Sequence, residues 1–174
     1  WLLPYISKKN IKTVSTFHNV YGNENFIKNF YNKQLSKVDK IVAISNYVKD
    51  EIIKNYKIKS DKIKVINRGI DIDTFDLDKI DKNQFVSFLK KFNIDLNKNI
   101  ILFPGRLTHW KGQLDFLKIV EVFKDQPVIF YFVGDDKNKS YSKKLIENIN
   151  SKKLFENCRI LGHLEENDLK MMYY

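Results

Sequence analysis

Phe103-Pro-Gly-Arg-Leu-Thr-His-Trp-Lys-Gly112 is the stretch on which the fold turns. An apolar run, Ile100–Phe103, stops at a proline and a glycine, and a second glycine, Gly112, precedes a helical periodicity over Gln113–Lys124. Strand, loop and helix in that order are the unit from which parallel sheets are built. Ligands of open parallel sheets bind at the C-terminal ends of strands, so this loop is where chemistry is expected. Gly105 and Gly112 let backbone approach a ligand closely, and the N-terminus of the following helix favours an anion. Arg106 can grip two oxygens as a fork, while Lys111 supplies a point charge. The combination predicts a diphosphate held without a metal. A Walker loop is excluded, because Trp110 stands five residues after Gly105, where that motif requires glycine before the lysine. No G-x-G-x-x-G fingerprint supports a nicotinamide dinucleotide.

The same rhythm runs outward from this loop. Downstream, Val128–Val133 is a predicted strand, Ser142–Asn150 a helix and Arg159–Leu161 a strand, with a last helix beginning near Glu166. Upstream, Thr13–Phe17, Lys40–Ile44 and Lys62–Ile66 read as strands. Asn25–Leu35 is a predicted helix whose stripe of Phe26, Ile27, Phe30, Tyr31 and Leu35 is expected in the core. Ser45 is the predicted N-cap of a helix through Tyr56, with Asp50 and Glu51 early in it, where the helix dipole favours them. Between the halves, Asp71–Lys98 is rich in Asp and Lys, with one helix around Gln84–Phe92. The expected architecture is α/β with two Rossmann-like parallel-sheet domains, both incomplete. Residues 1–70 form the end of the first, 71–98 an interdomain linker with a helix, and 99–174 the front of the second.

Composition narrows the function classes. The 174 residues, 43% of them hydrophobic, suffice for a core or two small ones, and no apolar stretch reaches membrane-spanning length. Trp1–Ile6 lacks the basic leader and cleavage site of a signal peptide. Trp1 in place of Met, and a terminal helix without a stop signal, lead us to expect cuts through a longer protein. Cys158 stands alone, so disulfide and cysteine-rich metal sites are out, and it is expected as a small buried apolar side chain in a cytoplasmic protein. Residues 1–70 carry 14 Lys/Arg against 5 Asp/Glu, a charge of +9 within the chain's total of +10. These lysines are expected to solvate helix surfaces; the alternative is peripheral contact with an anionic membrane at its inner face. No RNA motif, zinc finger or helix-turn-helix spacing supports a nucleic-acid partner.

Six motifs in order resemble the family-4 retaining glycosyltransferases of the GT-B fold. Gly105-Arg-Leu-Thr-His-Trp-Lys-Gly-Gln113 is similar to that family's donor-phosphate signature. Ile63-Lys-Val-Ile-Asn-Arg-Gly-Ile-Asp71, followed by Phe75, resembles its strand-to-linker motif. Thr16-Phe-His-Asn-Val-Tyr-Gly22, Val42-Ala-Ile-Ser45, Phe132-Val-Gly-Asp135 and Arg159-Ile-Leu-Gly-His163 fit in sequence and spacing. The resemblance covers essentially the whole chain. It implies transfer of a sugar from a nucleoside-diphosphate sugar to a glycan or lipid-linked acceptor, with the nucleotide sugar as co-substrate and no cofactor. Under it, Arg106 and Lys111, beside Gly105, bind the donor's two phosphates and stabilise the leaving group's charge, the preorganised electrostatics that usually dominates a rate enhancement. His18 contacts the transferred sugar. Gly134, Gly162 and His163 line the nucleotide side, and Arg68, Gly69 and Asp71 sit at the interdomain hinge, with Gly69 allowing a sharp turn.

Two family features are missing from this sequence. A glycine-rich loop belongs before Trp1, and a pair of glutamates belongs after Tyr174, so the fragment by itself is expected to be inactive. Other readings stay open: a GT-B sugar-nucleotide epimerase or phosphorylase, or a non-catalytic module that recognises nucleotide or phosphate. Asp135 and Asp136 are expected as turn formers rather than metal ligands. His109 is expected to be structural or solvent-facing, and Trp110 to pack its loop against the helix.

Overall fold

The computed structural model describes residues 11–19 and 26–174. Trp1–Ile6, Val20–Gly22 and Asn25, all used in the sequence reading, lie outside them, as do the side chains of Phe26, Ile27 and Tyr31. The chain divides into two compact units, Trp1–Ile70 and Asp71–Tyr174. Each contains a three-stranded, all-parallel sheet whose strands lie in sequence order. Among the described residues no helix is long and apolar enough to cross a membrane.

In the first unit, β1 (Val14–Phe17) pairs with β2 (Lys40–Ala43), and β2 with β3 (Ile63–Val65). Helices α1 (Phe26–Leu35) and α2 (Asn46–Tyr56) make the crossovers that parallel strands require. Phe17, Ile41, Ala43, Val48 and Ile52 form the centre of the core. Asp39 ties the strand starts together by accepting from the Thr13 amide at 2.8 Å and its hydroxyl at 2.9 Å. Those bonds, with Lys12 and Lys62 nearby, hold the Asp39 carboxyl below its ordinary value. Ser45 caps α2 as expected, its hydroxyl accepting from the Val48 amide at 3.2 Å. The α1 stripe departs from expectation at Phe30, which is 57% exposed. Helical spacing reports that a residue shares a face, not that the face is covered.

In the second unit, β4 (Asn99–Pro104), β5 (Val128–Val133) and β6 (Cys158–Gly162) alternate with α4 (Gln113–Val122) and α5 (Lys139–Ser151), and α6 (Glu166–Tyr173) follows. Strand β5 is central and buried throughout, as its unbroken apolar run demands. Phe130 and Phe132 face one core, with Leu107, Leu117, Val120 and Leu145. Ile129, Tyr131 and Val133 face another, with Leu164, Met171 and Met172. Helix α5 starts three residues before its predicted position because Asn138 caps it, accepting from the Tyr141 amide at 3.2 Å.

The stretch 71–98, expected as a linker, packs into this second unit. Its helix α3 (Lys82–Phe92) inserts Phe88 into the Tyr131 side of the core. The Asp95 amide donates to the Tyr131 hydroxyl at 3.2 Å, and Arg159 donates to the Asn93 carbonyl at 2.8 Å. Its Asp/Lys-rich surface disguised an apolar stripe of Phe85, Phe88, Leu89 and Phe92. Cys158 is buried as expected, and burial pushes its thiol up to about 12, which leaves it inert as a nucleophile.

Candidate donor-phosphate site

The strands of the second sheet end level with one another. Pro104 pairs with Val133, and Val133 with Gly162, after an irregularity that leaves Leu161 as an extra residue in β6. Three loops therefore leave one edge together: Gly105–Gly112 after β4, Gly134–Asn138 after β5, and His163–Glu165 after β6. Their bases are stitched by backbone. The Gly105 amide donates to the Val133 carbonyl and the Gly134 amide to the Gly162 carbonyl, each at 2.7 Å, and the Leu107 amide donates to the Asp135 carbonyl at 2.9 Å.

Glycine is required where these loops cross. A Cβ on Gly134 would overlap the Gly105 carbonyl oxygen and lie 2.5 Å from its carbon and 2.9 Å from the Arg106 nitrogen. Gly112, at φ 79°, ends a short 3₁₀ turn over His109–Lys111 and begins α4, a bend that a left-handed residue makes at least cost. Gly162, at φ 74°, turns the chain out of β6. Gly69, expected to allow a sharp turn, has no positive φ, and an added Cβ there would meet nothing.

The loop's cations gather around an indole. Lys111 lays its stem over Gly105, with Cδ 3.6 Å from where a Cβ would sit, and its ammonium lies 4.5 Å from the centre of the Trp110 ring. The Arg106 guanidinium carbon lies 5.9 Å from that centre. Trp110 itself is 67% exposed, so it does not pack the loop against the helix as expected. It is a surface that orders two side chains of like charge, through attraction between cation and ring. Two positive groups gathered at the start of α4, where the helix dipole is also positive, repel one another and invite an anion.

Beneath them lies a support the sequence reading missed. The fully buried Gln113 amide donates to the Arg106 carbonyl at 3.0 Å and the Gly105 carbonyl at 3.4 Å. Its oxygen accepts from the Tyr141 hydroxyl at 3.2 Å, and that hydroxyl accepts from the Leu114 amide at 3.2 Å. A buried network satisfied at each end fixes a backbone. The available signal was a glutamine opening an otherwise apolar helix face.

The remaining predicted residues fall in three places. His163 is exposed at the same edge, and Asp135 lies beside it. Partial desolvation raises the Asp135 carboxyl, but the Lys137 amide and ammonium, with His163, outweigh it and leave it below its ordinary value. Asp135 accepts from the Lys137 amide at 2.8 Å and so forms the turn as expected, while Asp136 makes an ion pair with Lys139 at 2.7 Å. Among the described residues no group of three or more His, Cys, Asp or Glu could hold a metal ion. In the first unit His18 follows β1 and Arg68 follows β3, and the Arg68 Nη2 to His18 Nδ1 distance is 2.6 Å. Asp71 closes a turn, accepting from the Thr74 hydroxyl at 2.7 Å and the Asp73 amide at 3.1 Å. The Thr74 hydroxyl, with the Thr74 and Asp73 amides, holds its carboxyl below the ordinary value.

Comparison with known proteins places this geometry in context. A glycosyltransferase from Rickettsia africae is 30% identical, with a TM-score of 0.80 over 99% of this chain and 51% of its own. HepE of Anabaena, solved with UDP and glucose, shares the fold at 19% identity, with a TM-score of 0.81 over 98% of this chain and 46% of its own. A putative glycosyltransferase of Bacillus subtilis, YtcC, is 30% identical over 106 residues, 59% of this chain and 26% of that protein. The chain thus spans about half the length of these solved structures. Residues 1–74 match the model for Glycosyltransferase Family 4, and residues 86–174, just over half the chain, match that for Glycosyl transferases group 1. With both sheets, their strand order and the Gly105–Gly112 loop in place, the chain belongs to the group 1 glycosyltransferase family.

Proposed function

We propose that the intact protein transfers a sugar from a nucleoside-diphosphate sugar to a glycan or lipid-linked acceptor, with retention of configuration. The observation that carries this reading is the pair Arg106 and Lys111, held over a glycine-framed strand end by Trp110 and Gln113. As the bond from sugar C1 to phosphate oxygen breaks, the nucleoside diphosphate leaves with the bonding electrons and gains charge. Arg106 offers a two-pronged set of donors to that charge, and Lys111 a compact ammonium. Donors fixed in advance cost no reorganisation at the moment of reaction. The acceptor oxygen bonds to C1 on the face the phosphate leaves, and its proton is released. The UDP and glucose bound by HepE, on the same fold, support a nucleotide-sugar donor. His18 takes the sugar side, and Gly134, Gly162 and His163 the nucleotide side.

The deciding experiment follows the anomeric proton by NMR during turnover of the intact protein, with and without EDTA. The expected product has the donor's configuration, at an unchanged rate in chelator, because side chains neutralise the phosphates. An inverted product would overturn retention. Loss of activity in EDTA, with recovery on adding Mn²⁺ or Mg²⁺, would overturn metal independence.

A lipid-linked acceptor would bring the first unit to an anionic surface. Lys40, Lys57, Lys59 and Lys62 surround one open concavity, interleaved with Asp39 and Asp61. Each such cation contributes about 1 kcal/mol near an anionic membrane. Charges beyond a screening length of about 8 Å contribute little at physiological salt. Co-sedimentation with vesicles is therefore expected to rise with anionic lipid at low salt and to fade at physiological salt. Binding indifferent to anionic content would leave these lysines as solvating charge.

A further inference from the structure

His18 and Arg68 stand 50 positions apart in sequence, on loops after β1 and β3, yet their side chains meet at 2.6 Å between Arg68 Nη2 and His18 Nδ1. A guanidinium carries five N–H donors, no acceptor and a permanent charge. A short contact to it requires Nδ1 to present a lone pair, which fixes the imidazole as neutral with its proton on Nε2. An isolated, exposed histidine would instead exchange tautomers and turn about its χ angles.

We propose that Arg68 is a positioning residue: it locks the ring and tautomer of His18, so that His18 presents an Nε2–H donor, turned away from the guanidinium, to an oxygen of the transferred sugar. The inference rests on His18 meeting the sugar. It adds that His18 donates a hydrogen bond and does not act as a proton acceptor, because one ring nitrogen is engaged by Arg68 and the other already holds the proton. It also gives Arg68 a role within the first unit, beside the hinge role that its motif implied.

The test uses the intact protein carrying Arg68→Ala, Arg68→Lys, His18→Ala and the double substitution. Arg68→Ala is expected to lower kcat about ten- to a hundred-fold, the cost of a misplaced group, with little change in donor KM. Arg68→Lys, which still offers one donor to Nδ1, should recover part of the loss. In the His18→Ala background, Arg68→Ala should cost nothing more, since a positioning residue has nothing left to position. Long-range ¹H–¹⁵N spectra should show a pyridine-like Nδ1 and a pyrrole-like Nε2 in the parent protein, and mixed tautomers in Arg68→Ala. Losses that multiply in the double variant, or a raised donor KM, would show Arg68 binding substrate directly and overturn the proposal. An unchanged tautomer pattern and kcat in Arg68→Ala would overturn it as well. Full turnover by His18→Ala would instead sink the sugar contact itself, while the spectra still report whether Arg68 holds the ring. Both residues are exposed, so equal melting temperatures are expected and separate these effects from misfolding.

Discussion

Lys111→Ala is expected to weaken binding of a nucleoside diphosphate by about ten- to a hundred-fold, the equivalent of about 1.5–3 kcal/mol for one charge-assisted contact. The loss should be nearly pure, because Lys111 is exposed and its stem rests on Gly105 without filling a core. Arg106→Lys should also weaken binding, since an ammonium cannot reproduce the fork that engages two phosphate oxygens. Calorimetry with UDP and GDP at one fixed salt concentration is the check. Unchanged affinity for both nucleotides in Lys111→Ala would remove this loop from the donor site.

Gly134→Ala should damage stability and binding together. The new methyl group would overlap the Gly105 carbonyl and crowd the Arg106 nitrogen, and both are backbone atoms with no rotamer to yield. Overpacking of this kind costs about 1–3 kcal/mol. Relief must come from moving the loop that carries Arg106, so nucleotide affinity should fall as well. Gly162→Ala is the contrast, because its added Cβ would meet nothing and only the left-handed backbone at φ 74° is strained, at about 1–2 kcal/mol. Urea denaturation and calorimetry on both variants separate the cases. If Gly134→Ala binds nucleotide as tightly as Gly162→Ala, the crossing of these loops does not shape the site.

The sequence made the elements legible because most are announced by local rules. Ser45 caps its helix, β5 is an unbroken apolar run, and glycines stand where the backbone turns out of a strand. What escaped was long-range. The partnership of His18 with Arg68 spans 50 positions, and the buried bonds of Gln113 to Tyr141 span 28. No periodicity encodes either. Trp110 misled in the opposite direction, since a large apolar ring is expected to pack inward, and here two cations hold it at the surface. Residues 71–98 misled through composition: their charges line the solvent side of a segment whose Phe88 reaches the core.

The glycines at the strand ends bear on folding as well as on ligand. A strand with one polar face cannot slip by a residue without turning that face inward, and this normally fixes its alignment. Strand β5 has no polar face: all six of its residues are buried. A slip of one residue, about 3.3 Å, would exchange Phe130 and Phe132 for Ile129 and Tyr131 across the sheet, and the Tyr131 hydroxyl, which accepts from the Asp95 amide, is the one polar group it would displace. Shape and that one hydroxyl still discriminate, but the alternation of hydrophobicity does not. The close crossing of Gly134 over Gly105 does, because any other residue brought to that point would carry a Cβ into the Gly105 carbonyl. The same missing methyl group that lets the Gly105–Gly112 loop pass thus tells an apolar strand where to stop.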